Sequence, residues 1–233
     1  HVTIGSTTTE LDAESGLTYT DGQLTILGTT PTLTIGDAGA EDAKIVFDGN
    51  AQDFHIGLDD TADDLVIGLG SALGTTTHMA FDEAGHITMP LQSAFHAYPG
   101  SAQANLGTDQ GFTVEVDTEV FDQNGDFNTG TYTFTAPVTG RYLFTYHLTL
   151  YQLDEGSPFT YFHLDTSNRE YYNWFDNDTQ LSADTAQSSF NVTVIADMDA
   201  SDTALMKGFI GGGAAVTDTQ GSTNSWFTGA LIC

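Results

Sequence analysis

Hydrophobic and polar positions alternate with a period of two along most of this chain, but the length of the alternating runs changes partway. From Gly111 onward the runs are long. "GFTVEVDTEVF", "GTYTFTA", "GRYLFTYHLTLY", "FTYFHLD", "SSFNVTVIADM", "TALMKGFIG" and "SWFTGALIC" are spaced as the strands of a β-sandwich. In the third run Tyr142, Phe144, Tyr146, Leu148 and Leu150 point to one face. Arg141, Leu143, Thr145, His147, Thr149 and Tyr151 point to the other. The second face is not purely polar, so a second sheet or a second subunit is expected to cover it.

Residues 1–92 are written differently. "LTYTDGQLTILG", "PTLTIG", "KIVFDG", "DFHIGLDD", "DLVIGLG" and "HITMP" each alternate briefly before Gly or Asp interrupts. Phe47-Asp48-Gly49 is echoed by Phe81-Asp82-Glu83-Ala84-Gly85, and "FHIGLDD" by "LVIGLGS". Such pieces bury little apiece, so this half predicts an elongated β stalk shared between chains rather than a self-sufficient domain. Residues 93–110 are rich in Ala, Gly, Ser and Gln, contain Pro99, and read as a linker. The fold class expected is therefore all-β: a short-strand stalk shared between chains over 1–92, a linker over 93–110 and a β-sandwich head over 111–233.

Composition narrows the function. Lys44, Arg141, Arg169 and Lys207 are the only basic side chains in 233 residues, and the formal net charge is −28. Nucleic-acid binding needs clustered cations, and so does adhesion to an anionic membrane; neither is expected. A charge this one-sided fits a saline habitat, where screening shortens to ~3 Å at 1 M salt. Cys233 is the single cysteine, so no intrachain disulfide can brace the fold. No apolar run reaches the length of a membrane span. The chain opens with His1, and a fragment or processed product is expected, with other proteins or segments ahead of the stalk.

Candidate chemistry is sparse. "FDQNGDFN" resembles a calcium loop, but counting from Asp122 the sixth position is Phe127 and the twelfth Thr133, where an EF-hand needs Gly and Glu. It reads instead as a turn in which Asn124-Gly125 supplies a positive-φ pair. No nucleophile motif is present, "GGG" at 211–213 lacks the context of a phosphate loop, and the histidines lack zinc-type pairing. His147 and His163 read as packed or surface side chains. Paired acids such as Asp59-Asp60 carry no weight in so acidic a chain. No enzymatic activity is expected.

The turn and the strands after it resemble the C1q-like globular domain family, within the C1q and tumour-necrosis-factor superfamily. Asp122, Phe127, Phe134, Gly140, Tyr142, Phe144 and Tyr146 fall on the family's spacing, with Val116 in place of its first Phe. "SWFTGALI" is similar to the family's closing strand, and "DASDTALM" is a poorer copy of another segment, with Ser201 where Gly is usual. The resemblance implies a jelly roll that assembles as a tight homotrimer. The stalk wording, "KIVFDGNAQDFHIGLDDTADDLVIGLGS", resembles shaft segments of tail fibres from marine bacteriophages.

Together these readings predict a trimeric viral tail fibre or virion appendage, exposed on the virion surface, that attaches to a host glycan or protein receptor. The alternative is a structural decoration or extracellular fibre protein without receptor binding. Loops 152–158, 176–187 and 213–224 are expected at the tip of the head. Their polar side chains suit sugars or hard cations, and Asp154, Glu155, Asp176, Asn177, Asp178, Asp218, Gln220 and Asn224 are the candidate ligand contacts. Calcium is the candidate ion, on Asp176 and Asp178. Trp174 and Phe175 are expected in the core.

Overall fold

The computed structural model describes residues 17–20 and 22–233. The opening of the expected stalk, 1–16, lies outside them. Two compact units are resolved, one within the chain up to Thr76 together with Ala80–His86, the other Thr77–Met79 with Ile87–Cys233.

The first unit is built from hairpins. β1 (Leu17–Thr20) pairs with β2 (Gln23–Ile26), and β3 (Ala43–Phe47), β4 (Phe54–Asp59) and β5 (Asp64–Leu69) form an antiparallel meander. The two look-alike stretches are adjacent strands of that meander, with Ile56 opposite Ile67. Both Asp-Gly echoes follow strand ends, at Phe47 of β3 and at Phe81 of β6 (Thr77–Phe81). After β6 the Asp82 carboxylate accepts from the His86 backbone N–H at 2.8 Å, and Gly85 takes φ 90°. A short strand, β7 (Ile87–Thr88), follows. The only buried hydrophobic side chains of the first unit, among the described residues, are Val66 and Ala80, whereas Phe47, Phe54, Leu58, Leu65 and Ile45 are exposed.

The second unit is a two-layer sandwich. Its strands are β8 (Ala94–Tyr98), β9 (Gly111–Thr113), β10 (Thr118–Asp122), β11 (Phe127–Asn128), β12 (Thr133–Thr135) and β13 (Gly140–Tyr151), then β14 (Phe159–Thr166), β15 (Glu170–Phe175), β16 (Gln187–Met198), β17 (Thr203–Gly211), β18 (Asp218–Thr219) and β19 (Trp226–Leu231). One sheet has the order β10-β8-β19-β13-β16, with β18 beside β13. The other has the order β11-β12-β17-β14-β15, with β9 beside β17. A single turn of helix, α1 (Asn177–Gln180), follows β15.

The inward face of β13 is as the alternation predicts: Tyr142, Phe144, Tyr146, Leu148 and Leu150 are all buried. Phe95 stacks on Phe127 at 4.7 Å and on Phe134 at 5.1 Å, and meets Phe227 edge-on at 4.9 Å. Phe134 in turn lies 5.4 Å from both Tyr142 and Phe144. The spacing that carries the family resemblance is thus a packing pattern, since Val116, Phe127, Phe134, Tyr142, Phe144 and Tyr146 all belong to one aromatic core.

Two expectations need correction. The segment expected to be a linker, 93–110, contains β8, which sits between β10 and β19 with Phe95 and Ala97 buried. Small residues around Phe95 hid the alternation. In the turn after β10 only Gly125, at φ 73°, has a positive φ; Asn124 does not. There the Asp122 carboxylate accepts from the N–H groups of Asp126 and Phe127, at 3.0 and 2.9 Å, which fixes the turn without a positive-φ pair.

Candidate functional site

The outward face of the second sheet carries an unusual, aromatic surface. Along β14, Thr160, Phe162, Leu164 and Thr166 are buried, which turns Phe159, Tyr161, His163 and Asp165 outward. Register sets Tyr161 between Phe209 of β17 and Trp174 of β15, and His163 between Lys207 and Tyr172. Phe159, Tyr161 and Phe209 lie in nearly parallel planes, within 4–6° of one another, with centroids 5.3–6.4 Å apart. Trp174 leans on Tyr161 at 4.4 Å and on Phe159 at 5.5 Å.

Gly211 makes room for this platform. A Cβ there would come within 2.8 Å of the Phe159 ring, which lies over the bare backbone of its cross-strand neighbour. Trp174 is 59% exposed and Tyr172 44%. The expectation that Trp174 belongs to the core is therefore overturned: β15 turns it outward, while Phe175 turns inward and meets Phe190 edge-on.

Charged groups flank the rings. At one end Lys207 pairs with Asp165 at 2.5 Å, and the Tyr172 hydroxyl donates to Glu170. That bond pushes the Tyr172 hydroxyl up to about 12. Burial holds His163 below its ordinary value. At the other end Trp174, Phe159 and Pro158 line an open cleft of about 650 Å³ with Asp176, Asp178, Thr179 and Gln180. The neighbouring Asp176 carboxyl, with a contribution from desolvation, holds the Asp178 carboxyl above its ordinary value, so the two acids are close together.

The other sequence-predicted residues have different surroundings. Asp154 is a structural hub: its carboxylate accepts from the N–H groups of Gly156 and Ala214, tying loop 152–158 to loop 213–224. Those bonds, Ala214 first, hold its carboxyl below the ordinary value. Asn177 is fully buried and donates from Nδ2 to the Asp154 carbonyl and to Thr160, each at 3.1 Å. Glu155 is exposed, and its N–H donates to Asp184. Asp218 accepts from the Asn105 N–H at 2.6 Å.

Gln220 and Asn224 line a separate depression of about 290 Å³ on the first sheet, with His147, Thr149 and Trp226. There Trp226 stacks between His96 at 5.9 Å and His147 at 6.0 Å, and His147 hydrogen-bonds Asn191 at 2.6 Å. The eight residues thus divide: Asp176 and Asp178 border the aromatic platform, Gln220 and Asn224 border the second depression, and Asp154, Glu155, Asn177 and Asp218 take part in bonds that knit loops. Sequence reading missed Phe159, Tyr161, Tyr172 and Phe209. The signal was present in Phe-x-Tyr-x-His and Tyr-x-Trp, where aromatics occupy the alternate positions that a solvated sheet face normally gives to polar residues.

The C1q domain matches residues 94–232. No curated protein matches the chain by sequence. Among solved structures, the globular domain of zebrafish complement 1qA protein is 19% identical, with a TM-score of 0.46 over 61% of this chain and 98% of that one. Murine APRIL at pH 5.0 is 12% identical, with a TM-score of 0.43 over 60% and 99%. The TNF protein Eiger from S. frugiperda is 11% identical, with a TM-score of 0.43 over 61% and 94%. Among the described residues no helix is long and apolar enough to cross a membrane. With more than half of its length matched, from the strand at Ala94 to the closing strand, the chain belongs to the C1q domain family.

Proposed function

We propose that this protein is a multivalent attachment module, a trimeric C1q-like head on a shared β stalk, and that its aromatic platform binds a glycan on a host surface. The single observation that supports this most is the trio of near-parallel rings with the exposed Trp174 beside them. Flat aromatic faces take the apolar C–H faces of sugars, and the flanking Asp176, Asp178, Gln180 and Glu170 side chains suit their hydroxyls. A calcium ion between Asp176 and Asp178 belongs to the same reading, since it would relieve the repulsion between those neighbouring carboxyls.

Trimerisation supplies the strength. Leu143 and Ile195 are exposed and directly opposite on the first sheet, and Phe121 lies further across the same sheet. Among its described residues the first unit likewise buries few hydrophobic side chains. Three copies wrapped together would cover both surfaces, as the family resemblance implies. Weak sugar sites in triplicate gain avidity of about 10²–10⁴ over one site. The stalk wording and the −28 charge favour a tail fibre or virion appendage in a saline setting.

A glycan array probed with the whole chain tests the binding. The expected result is a restricted set of glycans whose signal falls at least tenfold in Trp174→Ala. Silence on every glycan, or binding unchanged in that variant, refutes it and favours a purely structural decoration.

A further inference from the structure

We infer that His163, Asp165 and Glu170 form a site for a divalent transition-metal ion of the zinc class on the outer face of the second sheet. His163 and Asp165 are two residues apart on β14 and so share a face. Glu170 stands directly opposite Asp165 on β15. One ring nitrogen and one oxygen from each carboxylate lie within 4.8 Å of one another. Zinc bonds of about 2.0–2.2 Å in a tetrahedron separate ligand atoms by about 3.3 Å, so modest side-chain rotations close the site.

Acidic neighbours alone would mean nothing in this chain. The distinguishing observation is His163 itself. It is only 7% exposed, and its Nδ1 is buried with no hydrogen-bond partner. Buried imidazole nitrogens are almost always engaged, and a metal bound at Nδ1 would give that nitrogen the partner it lacks. Nitrogen ligation also fixes the class of ion. Calcium and magnesium take oxygen, whereas an imidazole with two carboxylates suits zinc, cobalt or nickel.

Lys207 is the present counter-charge, paired with Asp165. Its side chain is 41% exposed, so it can swing to water when a doubly charged ion arrives. The Tyr172 hydroxyl, bonded to Glu170, would orient that carboxylate as an outer partner. Three protein ligands leave a coordination position open beside the Tyr172 ring, whose centroid is 4.8 Å from that of His163. The site stands on this geometry alone and does not depend on glycan binding.

The test is calorimetric titration of zinc into the chelator-stripped full chain, with millimolar calcium and magnesium present to occupy the acidic surface. One zinc per chain is expected, and cobalt in its place should give visible d–d absorption. Glu170→Gln, an exposed change that spares the core, should weaken zinc at least about tenfold. Lys207→Met should tighten it by removing the competing cation. Absence of saturable binding overturns the inference. So does zinc affinity undiminished in both Glu170→Gln and His163→Asn, with circular dichroism verifying that each variant is folded.

Discussion

Asp154 shows how a residue picked for its oxygens can serve the fold. Its carboxylate holds the N–H groups of Gly156 and Ala214, and its carbonyl accepts from Ser157 and Asn177. Replacing it with Asn keeps the shape but loses the charge on those bonds, and urea denaturation should register about 1–3 kcal/mol. The pH dependence has a definite sign. The folded carboxyl is held below its ordinary value of 3.8, so its stabilisation is full above that value. It fades as pH falls further, through the folded value. The gap between wild type and Asp154→Asn should therefore be widest near neutrality and narrow in acid. Single residues were the least legible level of this sequence. Asp154 and Asp178 look alike in loops of the same composition, and only the backbone around them separates a hub from a rim. His163 was likewise unreadable as a ligand, because its partners Asp165 and Glu170 come from two strands and leave no zinc-type spacing.

Elements were more legible, because period-two alternation is enforced by burial. β13 and the family spacing were readable since every inward position is aromatic or aliphatic. β8 was not, because Ala94, Ala97 and Ser93 carry too little hydrophobic contrast. β15 misled for another reason: its outward positions hold Tyr172 and Trp174, and an aromatic on a strand reads as core until register is known. The closing strand β19 contains a tight constraint at the centre of the core. A Cβ on Gly229 would lie 2.6–2.7 Å from ring carbons of Phe144 and Phe95, both fully buried. Gly229→Ala must therefore push apart the centre of the aromatic core. A loss of about 1–3 kcal/mol is expected, with a matching fall in the thermal midpoint measured by near-ultraviolet circular dichroism.

At the scale of the whole molecule, the all-β class and the C1q-like head were legible; the outer aromatic platform was not, since it needs three strands in register. The proposed assembly rests on the apolar pair Leu143 and Ile195. Ile195→Glu would place like charges near a shared axis in a chain already at −28. Sedimentation at high salt is expected to show a trimer for wild type and a smaller species for Ile195→Glu. Val138→Glu, at an exposed turn before β13, should leave the trimer intact.

Trp226, stacked between two imidazoles, and Trp174, leaning on Tyr161, are the molecule's two tryptophans, and they sit on different sheets. Indole emission is quenched by a neighbouring imidazolium and shifts when the ring is covered. The protein consequently carries two built-in fluorophores, one watching the first sheet's outer face through its histidines, the other watching the platform, and removal of either lets the remaining one be followed without any label.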